Sequence, residues 1–484
     1  MADTQLSRVL PLEPIATLAD YESAGGGCGL EAARRLGPVG TIEEIEASGL
    51  RGRGGGGFPT GTKWRTIAEH TSTAEHTTVV INGAEGEPGS FKDRTLLRRS
   101  PYGVIEGALI AAEATAADRV VIAVKETFTV ERERLEAAVA EVVAAGWADG
   151  VSLEVVAGPS AYLYGEETAL LEVLDGRPPF PRIAPPFRHG VEETPSLSPG
   201  EAAGTDMTQE GGSGAAPTLV NNVETAAHAA AILAQGAQWF REMGTAGSPG
   251  TFLCTISGDT VRHGVRELAM GTTLGDAIDV VGGGHRKGRR LIAALSGVAN
   301  ALVPQQLFDT PLTYEAMSAI GSGMGAAGFL VVDDASDLTS VVAGVSRFLA
   351  VESCGQCTPC KVDGLAISES LARIAGSNAA EESDLEVVTR RSSTVSNGAR
   401  CYLGIQHETV VRSLLEVFPD AIPAHLDGRL PVAPPTLVAP IIDIVDGRAV
   451  LDRTQADKQP DWTHDATDSG KTPVERFGYG TAPA

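Results

Sequence analysis

Three cysteines stand close together in Glu352-Ser353-Cys354-Gly355-Gln356-Cys357-Thr358-Pro359-Cys360, spaced C-x2-C-x2-C, and Cys401 lies further along the chain. Two three-residue steps on a turn or a first helical turn aim three sulfurs at one point. Soft thiolates so closely spaced suit an iron–sulfur cluster, in which each iron takes its own thiolate. A [4Fe–4S] cube has four irons, so a fourth ligand comes from elsewhere. Cys401 is the best candidate, because Cys28 and Cys254 sit in unrelated contexts. Structural zinc remains an alternative, but it usually draws thiolates as two separated C-x2-C pairs. A redox disulfide fits less well, since such pairs rarely come as a tight triple.

A second chemistry-bearing stretch is Ser48-Gly49-Leu50-Arg51-Gly52-Arg53-Gly54-Gly55-Gly56-Gly57-Phe58-Pro59-Thr60-Gly61-Thr62-Lys63-Trp64. Gly52, Gly54 and Gly57 satisfy G-x-G-x-x-G, a weak signal where the preceding stretch reads as helix and not strand. It is not a Walker loop, because Lys63 is followed by Trp64. Successive glycines expose backbone N–H groups that can nest a phosphate. Lys63 adds a cation, and a helix starting near Thr62 would aim its positive end at the same place. The alternative is a glycine linker, which the interspersed Phe58, Pro59 and Trp64 disfavour.

Two polar runs follow. Asn82 to Arg94 leaves the C-terminal end of a short apolar strand at 79–81, where α/β folds place ligands. There Asn82 and Glu85 can reach a flavin edge or ribityl chain, although Glu87-Pro88-Gly89 would also build an ordinary turn. In Tyr162-Leu163-Tyr164-Gly165-Glu166-Glu167, Gly165 permits close approach of a ligand. Glu166 and Glu167 equally suit the first turn of a helix.

The elements that must position these residues alternate. After a leader and a helix capped at Thr41, strands at 79–81, 119–124 and 151–157 alternate with helices at 103–116 and 130–145, consistent with a helix-covered sheet. Residues 189–216 are rich in Glu, Pro, Ser, Gly and Thr and read as a solvated insertion. Order resumes at Pro217, opening a small-residue helix. Residues 250–335 read as four short strands (252–257, 261–268, 291–295, 329–332) with one helix at 273–280, an α+β module of architectural role. Helices then run from 337 to about 417, with Cys401 on a connection, a natural container for the cube. Beyond about 430 lies a Pro-rich tail with a strand pair hinged at Asp446-Gly447.

The chain has 484 residues and a net charge of −24, which argues against nucleic acid as a partner. With 43% hydrophobic and 21% charged residues it reads as a soluble globular protein of several domains. Met1 to Pro14 lacks the pattern of a secretory signal, and no run approaches the ~18 apolar residues of a membrane span. Six cysteines without a signal suggest a reducing cytoplasm.

The glycine loop 49–64, the run Asn82–Arg94 and the triple Ser353–Cys360 together resemble the flavin-binding subunit of NADH dehydrogenases of the respiratory complex I type. The same subunit occurs in NAD-linked hydrogenases and formate dehydrogenases. The resemblance covers about residues 30–417 in the family's order, and the tandem is far more specific than any one motif. It implies an α/β, Rossmann-like FMN-binding domain (1–245, carrying the insertion 189–216). A small ubiquitin-like module of SLBB type (250–335), a helical [4Fe–4S]-binding domain (337–425) and the tail (426–484) would follow. By matching position, FMN contacts fall on Gly52, Gly54, Lys63, Asn82, Glu85, Tyr162, Gly165, Glu166, Val220, Asn221, Asn222 and Thr225. NADH would meet Phe58, Glu87, Glu167 and Phe187, and the cluster Cys354, Cys357, Cys360 and Cys401. The implied activity is NADH oxidation through FMN to the cluster, with no side chain acting as acid or base. The implied setting is an assembly with a [2Fe–2S] subunit and further electron-transfer subunits, cytoplasmic or held at a membrane by those partners, with no membrane insertion of its own.

Three positions depart from the family: Ala84 replaces a usual aspartate beside the flavin, Thr66 a frequent aromatic at the adenine, and Ala184 a usual lysine near the nucleotide. The segment after Phe187 is also longer than usual and lacks a customary tryptophan stretch. A lost stacking ring costs roughly 0.5–1.5 kcal/mol and a lost charge-assisted contact about 1.5–3 kcal/mol. Together they would weaken NADH binding by about two orders of magnitude or more. An electron-transfer module fed by a ferredoxin or another dehydrogenase subunit is therefore the competing expectation. A structural relic is the third, and the glycine loop and Asn221-Asn222 argue against it. No arginine is clearly placed for a 2′-phosphate, a mild argument for NADH over NADPH.

Overall fold

The computed structural model describes residues 6–71, 76–182, 217–460 and 462. The insertion 189–216, Ala184, Phe187 and most of the tail beyond 460 lie outside the described residues.

A four-stranded parallel sheet forms the first unit: β1 Thr78–Gly83, β2 Arg119–Lys125, β3 Ser152–Gly158 and β4 Thr218–Asn222, in the order β3-β2-β1-β4. Val79, Val80, Ile81, Val120, Val121 and Ile122 are wholly buried, as continuous apolar runs in a sheet covered on both faces must be. The helices Pro101–Thr115 and Val223–Gln235 pack so closely that a Cβ at Gly107 would stand 1.8 Å from the Ala226 carbonyl oxygen. That contact explains the small-residue composition of both helices. Strand β4 was not expected; five residues ending in two asparagines carry little strand signal, and only pairing with β1 reveals it. Because β2 and β4 flank β1 on opposite sides, the chain reverses its direction of winding there, which opens a crevice at the C-terminal ends of β1 and β4.

The expected Thr41 cap is corrected. The helix Cys28–Ser48 breaks at Gly37 (φ 70°, ψ 176°), and Pro38 starts its second half. Thr41 lies inside that half, donating its hydroxyl to the Ala33 carbonyl.

The second unit is a five-stranded mixed sheet: β5 Thr251–Gly258, β6 Gly264–Ala269, β7 Leu291–Ser296, β8 Val303–Pro304 and β9 Gly328–Asp333. Its order is β6-β5-β9-β7-β8, with β5 and β9 parallel and the other pairs antiparallel. Besides the expected helix, Leu274–Gly282, it contains a second, Tyr314–Ala319, capped by the Thr313 hydroxyl. Third come the helices Leu338–Glu352, Thr358–Gly376, Glu382–Ser392, Leu403–Val417 and Ala421–Leu426, packed around Val342, Phe348, Leu349, Ile367, Leu371, Val410 and Leu414.

A hairpin of β10 Ile441–Val445 and β11 Arg448–Leu451 turns at Asp446 and Gly447, both at positive φ. It bridges units: Arg98 Nη1 lies 2.8 Å from Asp443 Oδ1, and His263 N donates to the Gly447 carbonyl at 2.7 Å. Among the described residues no helix is long and apolar enough to cross a membrane.

Candidate functional site

The crevice is a cavity of about 730 Å³. Its wall includes Gly52, Gly54, Lys63, Asn82, Glu85, Tyr162, Gly165, Glu166, Val220, Asn221, Asn222 and Thr225, together with Phe58, Glu87 and Glu167. Residues from separate stretches of the chain thus meet around one space; Phe187, the remaining expected contact, lies outside the described residues.

The glycine loop closes on itself through Gly52 N donating to the Phe58 carbonyl (2.9 Å) and Thr60 N to the Leu50 carbonyl (2.9 Å). Gly57 requires glycine twice over: φ is +59°, and a Cβ would meet the Tyr314 ring at 2.4 Å. Arg53 points away from the cavity and pins the loop, donating to the Thr251 carbonyl and the Tyr314 hydroxyl, while its backbone N–H reaches Thr225 Oγ1. The helix Thr60–His70 begins at the loop's exit, so its N-terminus and Lys63 both address the cavity. Lys63 Nζ contacts Glu167 Oε1 at 2.6 Å and the Val220 carbonyl at 2.8 Å, tying the loop to β4.

Several expected contacts are also engaged within the protein. Glu85 accepts from Ser90 Oγ and from the backbone N–H groups of Lys92, Asp93 and Arg94, capping the helix Lys92–Arg99. Asn82 donates to the Gly165 carbonyl and accepts from Ala84 N. Glu166 caps the helix Glu167–Leu174, and burial raises its carboxyl above the usual range. Glu87 accepts from the Tyr162 hydroxyl (2.5 Å) and Val298 N (2.7 Å), and its carboxyl too is raised by burial. Val298 belongs to the five-stranded unit, which also contributes Ala299, Asn300, Gly325 and Ala326 to the cavity wall. The expectation that this unit is merely architectural is therefore corrected. No sequence signal reveals a loop arriving from so far along the chain.

A buried charge group at the wall was also missed. Lys92 Nζ contacts Asp93 Oδ1 at 2.7 Å and Glu224 Oε2 at 2.8 Å, and Asp93 in turn accepts from Asn222 Nδ2 at 2.7 Å. The adjacent Lys92-Asp93 pair, beginning a helix within the polar run, was the available signal. At the departing positions, Ala84 is buried at the cavity and offers no carboxylate, and Thr66 donates its hydroxyl to the Thr62 carbonyl.

Cys354, Cys357, Cys360 and Cys401 line one small second cavity with Leu163, Pro181 and Leu403. Cys357 is the N-cap of Thr358–Gly376 and Cys360 sits in its first turn, where the helix end favours thiolates. Polar groups already meet the sulfurs: Gln356 Nε2 lies 3.4 Å from Cys354 Sγ, and Ser353 Oγ 3.3 Å from Cys360 Sγ. Burial pushes Cys360 up to about 11 and Cys401 up to about 12, so both are protonated thiols unless a metal takes the proton's place. Among the described residues no three His, Cys, Asp or Glu side chains gather as a single ion requires. A tetrahedral zinc draws its thiolates to roughly 2.3 Å of one centre. Four thiols lining one shared space supply the four ligands that a cube requires. The two cavities adjoin, sharing Leu163, Cys401 and Leu403 in their walls.

Comparison with known proteins agrees with this arrangement. Residues 45–231 match the Nuo51 FMN-binding domain, and residues 340–425 the NADH-ubiquinone oxidoreductase-F iron–sulfur binding region. The F 2 subunit of the Rhizobium meliloti NADH-quinone oxidoreductase is 32% identical over 423 residues, covering 85% of this chain and 95% of that one. The F subunit of the Mycobacterium tuberculosis NADH-quinone oxidoreductase is 35% identical over 425 residues, covering 86% and 91%. Among solved structures, the NAD+-reducing [NiFe]-hydrogenase in its H2-reduced state superposes with a TM-score of 0.72 at 31% identity, over 87% of this chain and 68% of that one. The chain belongs to the family of NADH-quinone oxidoreductase F subunits.

Proposed function

We propose that this chain is the electron-input subunit of a multi-subunit oxidoreductase: it oxidises NADH at a bound FMN and passes single electrons to a [4Fe–4S] cluster and on to a partner. The observation that carries this reading is the common wall of Leu163, Cys401 and Leu403 between the glycine-loop cavity and the four-thiol cavity. A cofactor held in one cavity and a cluster held in the other would face each other across the side chains of Leu163, Cys401 and Leu403. When bound, FMN accepts electrons in pairs and releases them singly, and the cluster carries one at a time.

The chain's residues bind and orient. The loop amides around Gly52 and Gly54, the helix N-terminus at Thr60 and Lys63 would take the FMN phosphate. Asn82, Glu85, Tyr162, Gly165, Glu166, Val220, Asn221, Asn222 and Thr225 would frame its ring and chain. Phe58, 56% exposed at the cavity, would stack on the nucleotide, with Glu87, Glu167 and Phe187 completing its pocket. Cys354, Cys357, Cys360 and Cys401 would hold the cluster. No side chain need transfer a proton.

The order of the five-stranded sheet, counted within the unit as 2-1-5-3-4 with its first and last strands parallel, supports the ubiquitin-like, SLBB-type reading. The domain limits expected from the sequence (1–245, 250–335, 337–425 and 426–484) are retained as part of this proposal. A [2Fe–2S] subunit is the expected electron partner, and the acidic balance of the chain argues against nucleic acid. The site of action would be the cytoplasm, with membrane association only through partner subunits. A second reading, in which NADH binds weakly and another protein supplies the electrons, is favoured by Ala84 and Thr66.

Anaerobic titration with NADH tests both. Rapid bleaching of the flavin band supports the first reading. A flavin bleached by dithionite but not by NADH supports the second, and a purified protein without flavin overturns both.

A further inference from the structure

Beyond residue 425, where the iron–sulfur match ends, the tail returns to the cysteine site. After the single turn Arg453–Ala456, Arg347 Nη2 donates to the carbonyls of Ala456 (2.9 Å) and Lys458 (3.0 Å). Lys458 Nζ contacts both carboxylate oxygens of Glu352, at 3.0 and 3.1 Å, and Gln455 Nε2 adds a third contact at 3.1 Å. Glu352 ends the helix that leads into the cysteine triple, and it also accepts from Tyr162 N on the large cavity's wall.

Four residues past Lys458, Trp462 lays its indole against Gly355, between Cys354 and Cys357. A Cβ at Gly355 would stand 2.5 Å from Trp462 Cδ1, and Gly355 adopts φ +75°, so only glycine accommodates the ring. Lys361 Nζ lies 4.7 Å from the ring centroid on the cysteine-bearing helix. The indole Nε1 is buried and has no hydrogen-bond partner among the described residues. An indole N–H can only donate, and leaving a buried donor unmatched is costly. The candidate acceptors at this spot are the thiols of Cys354 and Cys357, which flank Gly355 and Gln356 in the chain and line the small cavity.

We propose that Trp462 donates its indole N–H to a sulfur of the cluster or of its cysteine ligands, and that residues 453–460 form the strap that brings it there. This rests on the assignment of Cys354, Cys357, Cys360 and Cys401 as ligands. A donor aimed at the sulfurs stabilises the reduced, more negative cluster and raises its potential, so Trp462 is a positioning and tuning residue for electron transfer.

The test uses the full chain purified anaerobically, with iron and sulfide assayed and the cluster's midpoint followed by EPR in a redox titration. Trp462→Phe keeps an aromatic ring over Gly355 and removes only the donor. It should retain iron and lower the midpoint by about a tenfold shift in the reduction equilibrium, roughly 59 mV for one electron. Trp462→Ala should lower it similarly and also hasten loss of visible absorbance in air. A Trp462→Phe midpoint equal to that of the parent, at any iron content, overturns the proposal. A parent protein without four irons overturns the ligand assignment, and the proposal with it; that failure is read from the parent alone.

Discussion

Lys92→Met tests the charge group at the flavin cavity. The Lys92 side chain is wholly buried, and its ammonium faces Asp93 at 2.7 Å, Glu224 at 2.8 Å and Asn222 at 3.3 Å. Burial alone would lower the ammonium's pKa, but Asp93, Glu224 and Glu85 more than offset it and hold Lys92 charged. Burial likewise opposes ionisation of Glu224, yet Lys92, His228 and Arg53 keep it at about 2, while burial prevails at Asp93 and raises it to about 7. Methionine keeps a linear side chain of similar length and deletes the charge, leaving two buried carboxylates face to face. Removing one partner of a buried ion pair costs about 3–5 kcal/mol. Asp93 sits nearest neutrality and takes up a proton, so the lower end, about 3 kcal/mol, applies in mild acid and the upper end in alkali. At about 2–4 °C per kcal/mol for a unit of this size, the unfolding midpoint should fall by roughly 6–12 °C in mild acid and by more in alkali. The drop is read by thermal unfolding with flavin release as the signal, and Lys92→Met/Glu224→Gln should recover part of it. The sign for Asp93 follows from linkage: its folded pKa of about 7 exceeds its unfolded value, so its contribution favours folding most in acid and declines as pH rises toward 7. A midpoint within about 2 °C of the parent at both pH values would refute the assigned role, being under about 1 kcal/mol.

Cys401→Ser should strip or convert the cluster; unchanged iron and sulfide in the purified variant would remove Cys401 from the ligand set. Phe58→Ala deletes an exposed ring and should raise KM for NADH by up to about tenfold, with dithionite reduction of the flavin unaltered. Stopped-flow traces showing slower dithionite reduction as well would instead point to a damaged flavin site. Burial lowers His407 to about 4, and its Nε2 lies 2.6 Å from Ser346 Oγ. Its contribution to stability is full above pH ~6.5 and lost as pH falls toward and through 4. His407→Gln should flatten that decline in an unfolding-midpoint profile; parallel profiles for the two proteins would exclude His407 as its source.

What the sequence made legible was chemistry concentrated in short stretches. The cysteine triple, the glycine loop and the Asn82–Arg94 run each carry their signal within a few residues, and the strands around Val79, Val120 and Val155 are apolar runs between turns. What stayed hidden depends on partners far apart in the chain. Lys92 and Glu224 are widely separated in sequence, and only the fold makes them an ion pair. β4 is too short and polar to stand out without β1 beside it. Thr41 offered a plausible cap, but the backbone had already broken at Gly37, where Pro38 removes the donor that a continuous helix needs. Trp462 lies in a Pro-rich stretch with no periodicity, so nothing local links it to Gly355.

Glu87 has a consequence for how this protein can be recombined. A single carboxylate, rooted in the parallel-sheet unit, receives a backbone proton donor from the five-stranded unit and the phenol of Tyr162, whose hydroxyl also meets Gln406 of the helical unit. The three parts therefore do not behave as interchangeable beads. A chimera that imports the five-stranded segment from a relative must bring a backbone N–H to the place of Val298, or it strands an underpaired carboxylate at the large cavity. That makes the carboxylate a seam that recombination has to respect.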